Sequence, residues 1–64
     1  MDNNEKAINA GFWITKASGT WYVGRTLADG SMVKLGERHG YPNKKKARDA
    51  MIGAFLLDTN QNRN

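Results

Sequence analysis

Basic side chains are concentrated in one part of this chain, between Lys34 and Arg48. Six of them lie there against a single acid, Glu37, so the stretch carries +5, whereas the other four basic and five acidic residues sum to −1. Positive charge this concentrated favours an anionic partner, and nucleic acid is the commonest one. The six candidate nucleic-acid-binding residues are Lys34, Arg38, Lys44, Lys45, Lys46 and Arg48.

Three of these residues, Lys44, Lys45 and Lys46, directly follow Asn43, a residue type that commonly caps the N-terminus of a helix. The first turn of a helix prefers acids to bases by about 0.3–1 kcal/mol per charge, so the three lysines oppose the local electrostatics. A phosphate placed there would accept hydrogen bonds from free backbone N–H groups and lie beside three ammonium groups. A solvated basic turn is the alternative interpretation, and the sequence leaves both open.

The remaining polar residues do not form a catalytic or metal-binding pattern. His39 is the only histidine and there is no cysteine, while the acids Asp29, Glu37 and Asp49 are scattered along the chain. The glycines match neither a P-loop nor a dinucleotide-binding fingerprint, because both need a defined strand–loop–helix spacing. We therefore expect no enzyme activity, no metal ion and no cofactor.

Three strands and one helix must position the basic residues. The strand segments are Phe12 to Lys16, Thr20 to Leu27 and Ser31 to Leu35. Ser18-Gly19 and Asp29-Gly30 separate them, and such short turns join only antiparallel neighbours. A helix is predicted from Lys44 to about Leu57. The predicted fold class is α+β, a three-stranded antiparallel sheet packed by one C-terminal helix (βββα).

Strand alternation assigns the sheet residues to two faces. The face predicted to meet the helix contains Phe12, Ile14, Trp21, Val23, Leu27, Val33 and Leu35. The open face contains Trp13, Thr15, Tyr22, Thr26, Met32 and Lys34. Trp13 and Tyr22 beside Lys34 would form a stacking surface for bases, although aromatic rings in so small a protein more often belong to the core. Arg25, among core positions, is expected to reach the rim of the sheet with its stem buried.

The predicted helix is apolar on more than one side. Its sheet-facing positions are Ala47, Ala50, Met51, Ala54, Phe55 and Leu57. Ile52 and Leu56 point away from them, which makes these two residues a candidate partner or homodimer face.

The flanking segments are polar and the whole chain is short. We expect residues 1–11 to be a mobile polar segment, 12–57 to form the domain and 58–64 to be a disordered tail. A core this thin makes self-association a serious possibility. No apolar stretch approaches the length of a membrane span, and the absence of cysteine fits a reducing cytoplasm. These features predict a soluble cytoplasmic protein, and a small stand-alone basic chain suggests a phage or mobile-element origin.

Several short motifs resemble the YegP-like domain family over Phe12 to Phe55. They are Gly19-x-Trp21-x-Val23, Ala28-Asp29-Gly30 and Gly40-Tyr41-x-x-Lys44-x-x-Ala47. The chain departs from that family in having one copy of a unit usually found in tandem, in the charge of Arg25, and in a longer loop before Gly40. The resemblance implies a fold, and pairing of two units, but no activity.

The predicted architecture is also similar to that of the arm-type DNA-binding domains of phage integrases. This resemblance implies that one face of the sheet lies in a major groove. Our leading hypothesis is a small basic protein that binds nucleic acid through phosphate contacts from the loop and the first helical turn. The alternative is a phage-type inhibitor or accessory protein that binds an acidic host protein surface, through strand edges and the Ile52/Leu56 face.

Overall fold

A computed structural model describes residues 2–61 of the chain and the side chains of residues 2–59. Its elements are α1 (Asn3–Asn9), β1 (Phe12–Ala17), β2 (Thr20–Thr26), β3 (Met32–Leu35) and α2 (Lys44–Gln61). The strands form one antiparallel sheet in the order β1-β2-β3. The predicted α+β fold, with a three-stranded antiparallel sheet and a C-terminal helix, is thereby confirmed. No helix in the described part of the chain is long and apolar enough to span a membrane.

Local hydrogen bonds explain where the strands turn and where α2 begins. Ser18 and Gly19 both have positive φ, 51° and 80°, the backbone of a two-residue hairpin turn that follows the twist of the strands. Asp29 accepts hydrogen bonds from the hydroxyl and the backbone N–H of Ser31, which hold the pKa of its carboxyl below the ordinary value. At α2, Asn43 Oδ1 accepts from the backbone N–H of Lys46 at 2.9 Å, so the predicted N-cap is correct.

The N-terminal segment contains the helix α1, where the sequence predicted only a polar, mobile segment over residues 1–11. Asp2 caps α1 by accepting from the backbone N–H of Glu5 at 2.8 Å. Ala7 is fully buried in the core, and α1 packs against both α2 and β1. Because one small residue is the only fully buried position of this seven-residue helix, hydrophobic periodicity gives no signal for it.

The helix α2 is longer than predicted and buries different residues. It continues to Gln61 rather than ending at Leu57, so part of the predicted tail is helical; residues 62–64 lie outside the described residues. Leu57, predicted to face the sheet, is largely exposed, whereas Ile52, predicted to point away from it, is half-buried against the core. In addition to the sheet, α2 packs against α1, a contact that the sequence did not predict.

The core is small and lies between the sheet and the two helices. Its fully buried members are Ala7, Phe12, Val23, Ala47 and Met51. Phe12 meets Phe55 edge to face, with ring centroids 6.0 Å apart, which is a favourable geometry for two aromatic rings.

Arg25 lies on the helix-facing side of β2, as its strand position predicts. Its guanidinium carbon is 4.7 Å from the centroid of the Phe12 ring, and Nη1 donates to Asp58 Oδ1 at 3.0 Å. Arg25 therefore joins the sheet to the last turns of α2. This ion pair occupies the side chain, so Arg25 is not a candidate for phosphate contact.

Gly53 is expected to be a weak point of α2. It lies in the helix interior, it is exposed, and a Cβ built on it would meet no atom within 4 Å. Gly53→Ala should therefore raise the free energy of unfolding by about 0.5–1 kcal/mol, because alanine loses less backbone entropy on helix formation. Chemical denaturation would measure the change, and a destabilised variant would contradict the open environment described for this position.

Candidate nucleic-acid interface

One face of the sheet is covered by helices and the other is not. The helix α2 packs against β1 and β2 through Val23, Phe12 and their neighbours. No helix or strand of the described chain covers the opposite face, which is bordered on one side by the loop over residues 36–40. The cross-strand register confirms that the open face contains Trp13, Thr15, Tyr22, Thr26, Met32 and Lys34.

The indole ring of Trp13 lies across the centre of this open face. Trp13 pairs with Gly24 in the sheet, and a Cβ at position 24 would overlap with three carbon atoms of the Trp13 six-membered ring. The indole Nε1 donates to Thr26 Oγ1 at 3.1 Å, which fixes the ring orientation. No ring stacking or cation–π contact in the described structure involves Trp13. The absence of a side chain at Gly24 thus allows Trp13 to lie against the sheet.

Tyr22 lies next to this ring on the same face and holds a lysine. The Lys34 ammonium is 4.6 Å from the centroid of the Tyr22 ring and donates to the Arg38 carbonyl oxygen at 2.6 Å. The ring quadrupole and the carbonyl dipole both favour a cation at this point. Lys34 is therefore a positive charge with a defined position, and its backbone pairs with Gly24, the residue that the Trp13 ring covers.

The loop that carries Arg38 is held by Tyr41. Its backbone makes two hydrogen bonds with Trp21, at 3.0 and 2.7 Å, and its hydroxyl accepts from the backbone N–H of Glu37 at 3.0 Å. Gly40 has φ of 83°, and a Cβ there would overlap with atoms of Thr20 and Tyr22, so only glycine fits. The Gly-Tyr pair of the sequence thereby fixes the border of the open face.

The four basic residues on α2 are in different surroundings. Lys44 Nζ lies 5.9 Å from the Trp21 ring centroid, and Lys16 Nζ lies at the same distance from that ring. Lys45 pairs with Asp49 at 3.2 Å in an exposed i,i+4 ion pair. For Lys46 and Arg48 the described structure contains no ion-pair partner.

The sequence-adjacent basic stretch is thus divided between two places. Lys34 and Arg38 lie with Trp13 and Tyr22 at the open face, whereas Lys44, Lys45, Lys46 and Arg48 lie on the helix that packs on the other face. Of the candidate partner face, Leu56 is exposed and Ile52 is half-buried.

Two contributors to these surfaces were missed by sequence reasoning. Lys16 pairs with Trp21 in the register, which strand alternation could have shown. The role of Gly24 was missed as well, although a glycine inside a strand often marks a close approach by another group.

Comparison with known proteins gives no relative: no family model, no curated protein and no solved structure matches the chain. The resemblances to the YegP-like domain and to integrase arm-type domains therefore stay predictions. The case for a function depends on the geometry of the open face and on the distribution of charge.

Proposed function

We propose that this protein binds single-stranded nucleic acid on the open face of its sheet. The observation that carries the proposal is the placement of the Trp13 ring, flat against Gly24 on an uncovered face, with the Lys34 ammonium fixed nearby. Bases of a single strand stack on such rings whatever their sequence, while neighbouring cations contact the phosphates.

The geometry supports different roles for the two aromatic residues that we predicted to stack. Trp13 provides the stacking surface, because no cation–π partner in the described structure occupies its ring. One face of Tyr22 already holds Lys34, so Tyr22 positions the cation that meets a phosphate. Arg38 contributes its carbonyl to the same lysine and adds a second positive charge at the border of the face.

Electrostatic attraction extends the binding surface beyond the sheet. The chain carries a net charge of +4, and Lys44, Lys45 and Lys46 occupy the first turn of α2, where backbone N–H groups also attract anions. One backbone N–H group of that helix end already has a hydrogen-bond partner, since Asn43 Oδ1 accepts from the Lys46 N–H. In the proposal these lysines add phosphate contacts along the strand and carry no base specificity.

Binding to a labelled single strand is expected to weaken steeply with salt. Each phosphate contact contributes about 0.7 to the slope of log affinity against log salt, because binding releases counterions. Lys34→Gln should make this slope shallower by about 0.7, and the joint change of Lys44, Lys45 and Lys46 to alanine by up to about 2. Fluorescence anisotropy over a salt series would measure the slopes.

The controls use a second probe and a matched lysine. The duplex of the same sequence should bind more weakly than the single strand, since its bases cannot stack on Trp13. Lys6→Gln, on the exposed side of α1, removes the same charge away from the open face and should change the slope less than Lys34→Gln. Salt-insensitive binding, or none at low salt, would refute the proposed function; equal slopes for the two glutamine variants would refute the role of Lys34.

A further inference from the structure

A cleft lies on the helix side of the protein, where α1, β1 and α2 meet. It is half open and has a volume of about 330 Å³, within the range of pockets that take organic groups. Its apolar walls are formed by Ile8, Phe12, Trp13, Ile14 and Met51. Ile8 is 53% exposed although it lines this apolar surface, so part of the cleft wall is in contact with solvent.

The rim of the cleft is positively charged. Lys44 and Arg48 are one helical turn apart on α2 and line the same opening, while Asn4 lines it from α1. None of the described residues that line the cleft is acidic. The described structure shows no ion-pair partner for Lys44 or Arg48, so both cations are available to an anionic group that enters beside the apolar walls.

The cleft also adjoins an unpaired strand edge. In the sheet order β1-β2-β3, β1 pairs with β2 alone, and its residues Phe12 and Ile14 line the cleft. An edge strand presents backbone N–H and C=O groups that an extended segment of another chain can pair with. Alternate side chains of such a segment would face the cleft, because strand side chains have a period of two.

We propose that this cleft and the edge of β1 bind an extended acidic-apolar segment of a partner protein. The apolar side chains enter between α1 and α2, and carboxylates two residues away meet Lys44 and Arg48. This occupant uses the apolar walls, the charged rim and the strand edge together, whereas a nucleic acid would leave the strand edge unpaired and the aliphatic walls uncovered. Trp13 also lines this cleft, so the site adjoins the proposed nucleic-acid surface at Trp13 and Lys44 and differs from it in Ile8, Met51, Arg48 and the strand edge.

A designed peptide tests the proposal directly. The probe is a short labelled peptide in which glutamate, leucine, phenylalanine and glutamate occupy alternate positions, with threonine between them. The control peptide has the same composition, but its glutamates are moved by one position, so that acidic and apolar side chains face opposite sides of the added strand. We expect the probe to bind at least about tenfold more tightly than the control. The backbone amide NMR signals of β1 should shift with the probe.

Two variants separate this site from general attraction between charges. Arg48→Glu should weaken binding of the probe at least about tenfold, and Lys46→Glu, with the same charge change outside the cleft, should weaken it much less. Ile8→Ser should also weaken the probe while leaving binding of a single-stranded oligonucleotide unchanged. Equal losses for the two glutamate variants, equal binding of the two peptides, or unchanged peptide binding by Ile8→Ser would overturn the proposal. Failure here leaves the nucleic-acid proposal intact, because that proposal is also tested at Lys34 and Gly24, which do not line the cleft.

Discussion

Replacing Met51 with alanine is expected to lower the free energy of unfolding by about 2–5 kcal/mol. Met51 is 1% exposed and belongs to a core with few members. Its removal deletes apolar contacts with the sheet and leaves a cavity that so small a fold cannot readily close. A domain of this size has a total stability of about 3–10 kcal/mol, so this loss is a large fraction of it.

Leu57→Ala is the matched control for this prediction. Leu57 lies on the same helix and loses the same kind of apolar surface, but it is 63% exposed. We expect a loss below about 1 kcal/mol for this variant. Urea denaturation followed by circular dichroism would compare the two. Similar losses would mean that Met51 does not occupy the centre of the core, and the packing of α2 described above would be wrong.

Trp13→Ala is expected to lower the affinity for a single-stranded oligonucleotide about 5- to 150-fold. This range corresponds to about 1–3 kcal/mol for one stacked base. The salt slope should stay unchanged, because the tryptophan carries no charge and makes no phosphate contact. Anisotropy titrations of the wild type and the variant, each over a salt series, would give both quantities.

Gly24→Val tests the same surface without deleting the ring. Valine favours a strand, and position 24 has no positive φ, so the backbone tolerates the change. Its side chain would occupy the space of the Trp13 ring and lift the indole from the sheet. We expect a loss of affinity similar to that of Trp13→Ala, together with a changed tryptophan fluorescence spectrum. Full affinity in both variants would exclude the Trp13 surface as the place where bases stack.

The sequence predicted the sheet well because its signals are local and strong. Two turn dipeptides separate three β-type segments, and alternation then places Trp13, Tyr22 and Lys34 on one face. The predicted strand ends differ from the observed ones by a residue at most. The N-cap at Asn43 was equally clear, since the amide precedes an uninterrupted helical pattern.

The features that the sequence did not predict were missed for identifiable physical reasons. The helix α1 has one fully buried residue, Ala7, so its sequence has no apolar period that could distinguish it from a polar loop. Without α1, the cleft beside β1 could not be foreseen, and Ile52 was assigned to the wrong environment. Closeness in the chain also does not show which basic residues share a surface, because Lys34 lies on the open face of β3 and Lys45 lies on α2, which packs on the other face.

The ion pair between Arg25 and Asp58 determines how much of the chain the domain needs. A boundary at Leu57, where the apolar pattern ends, would remove the carboxylate that neutralises a guanidinium packed on Phe12. That half-buried charge would then have to draw in water or move away from the ring. Asp58 is therefore part of the folded unit, and a shortened protein for biophysical work should retain it.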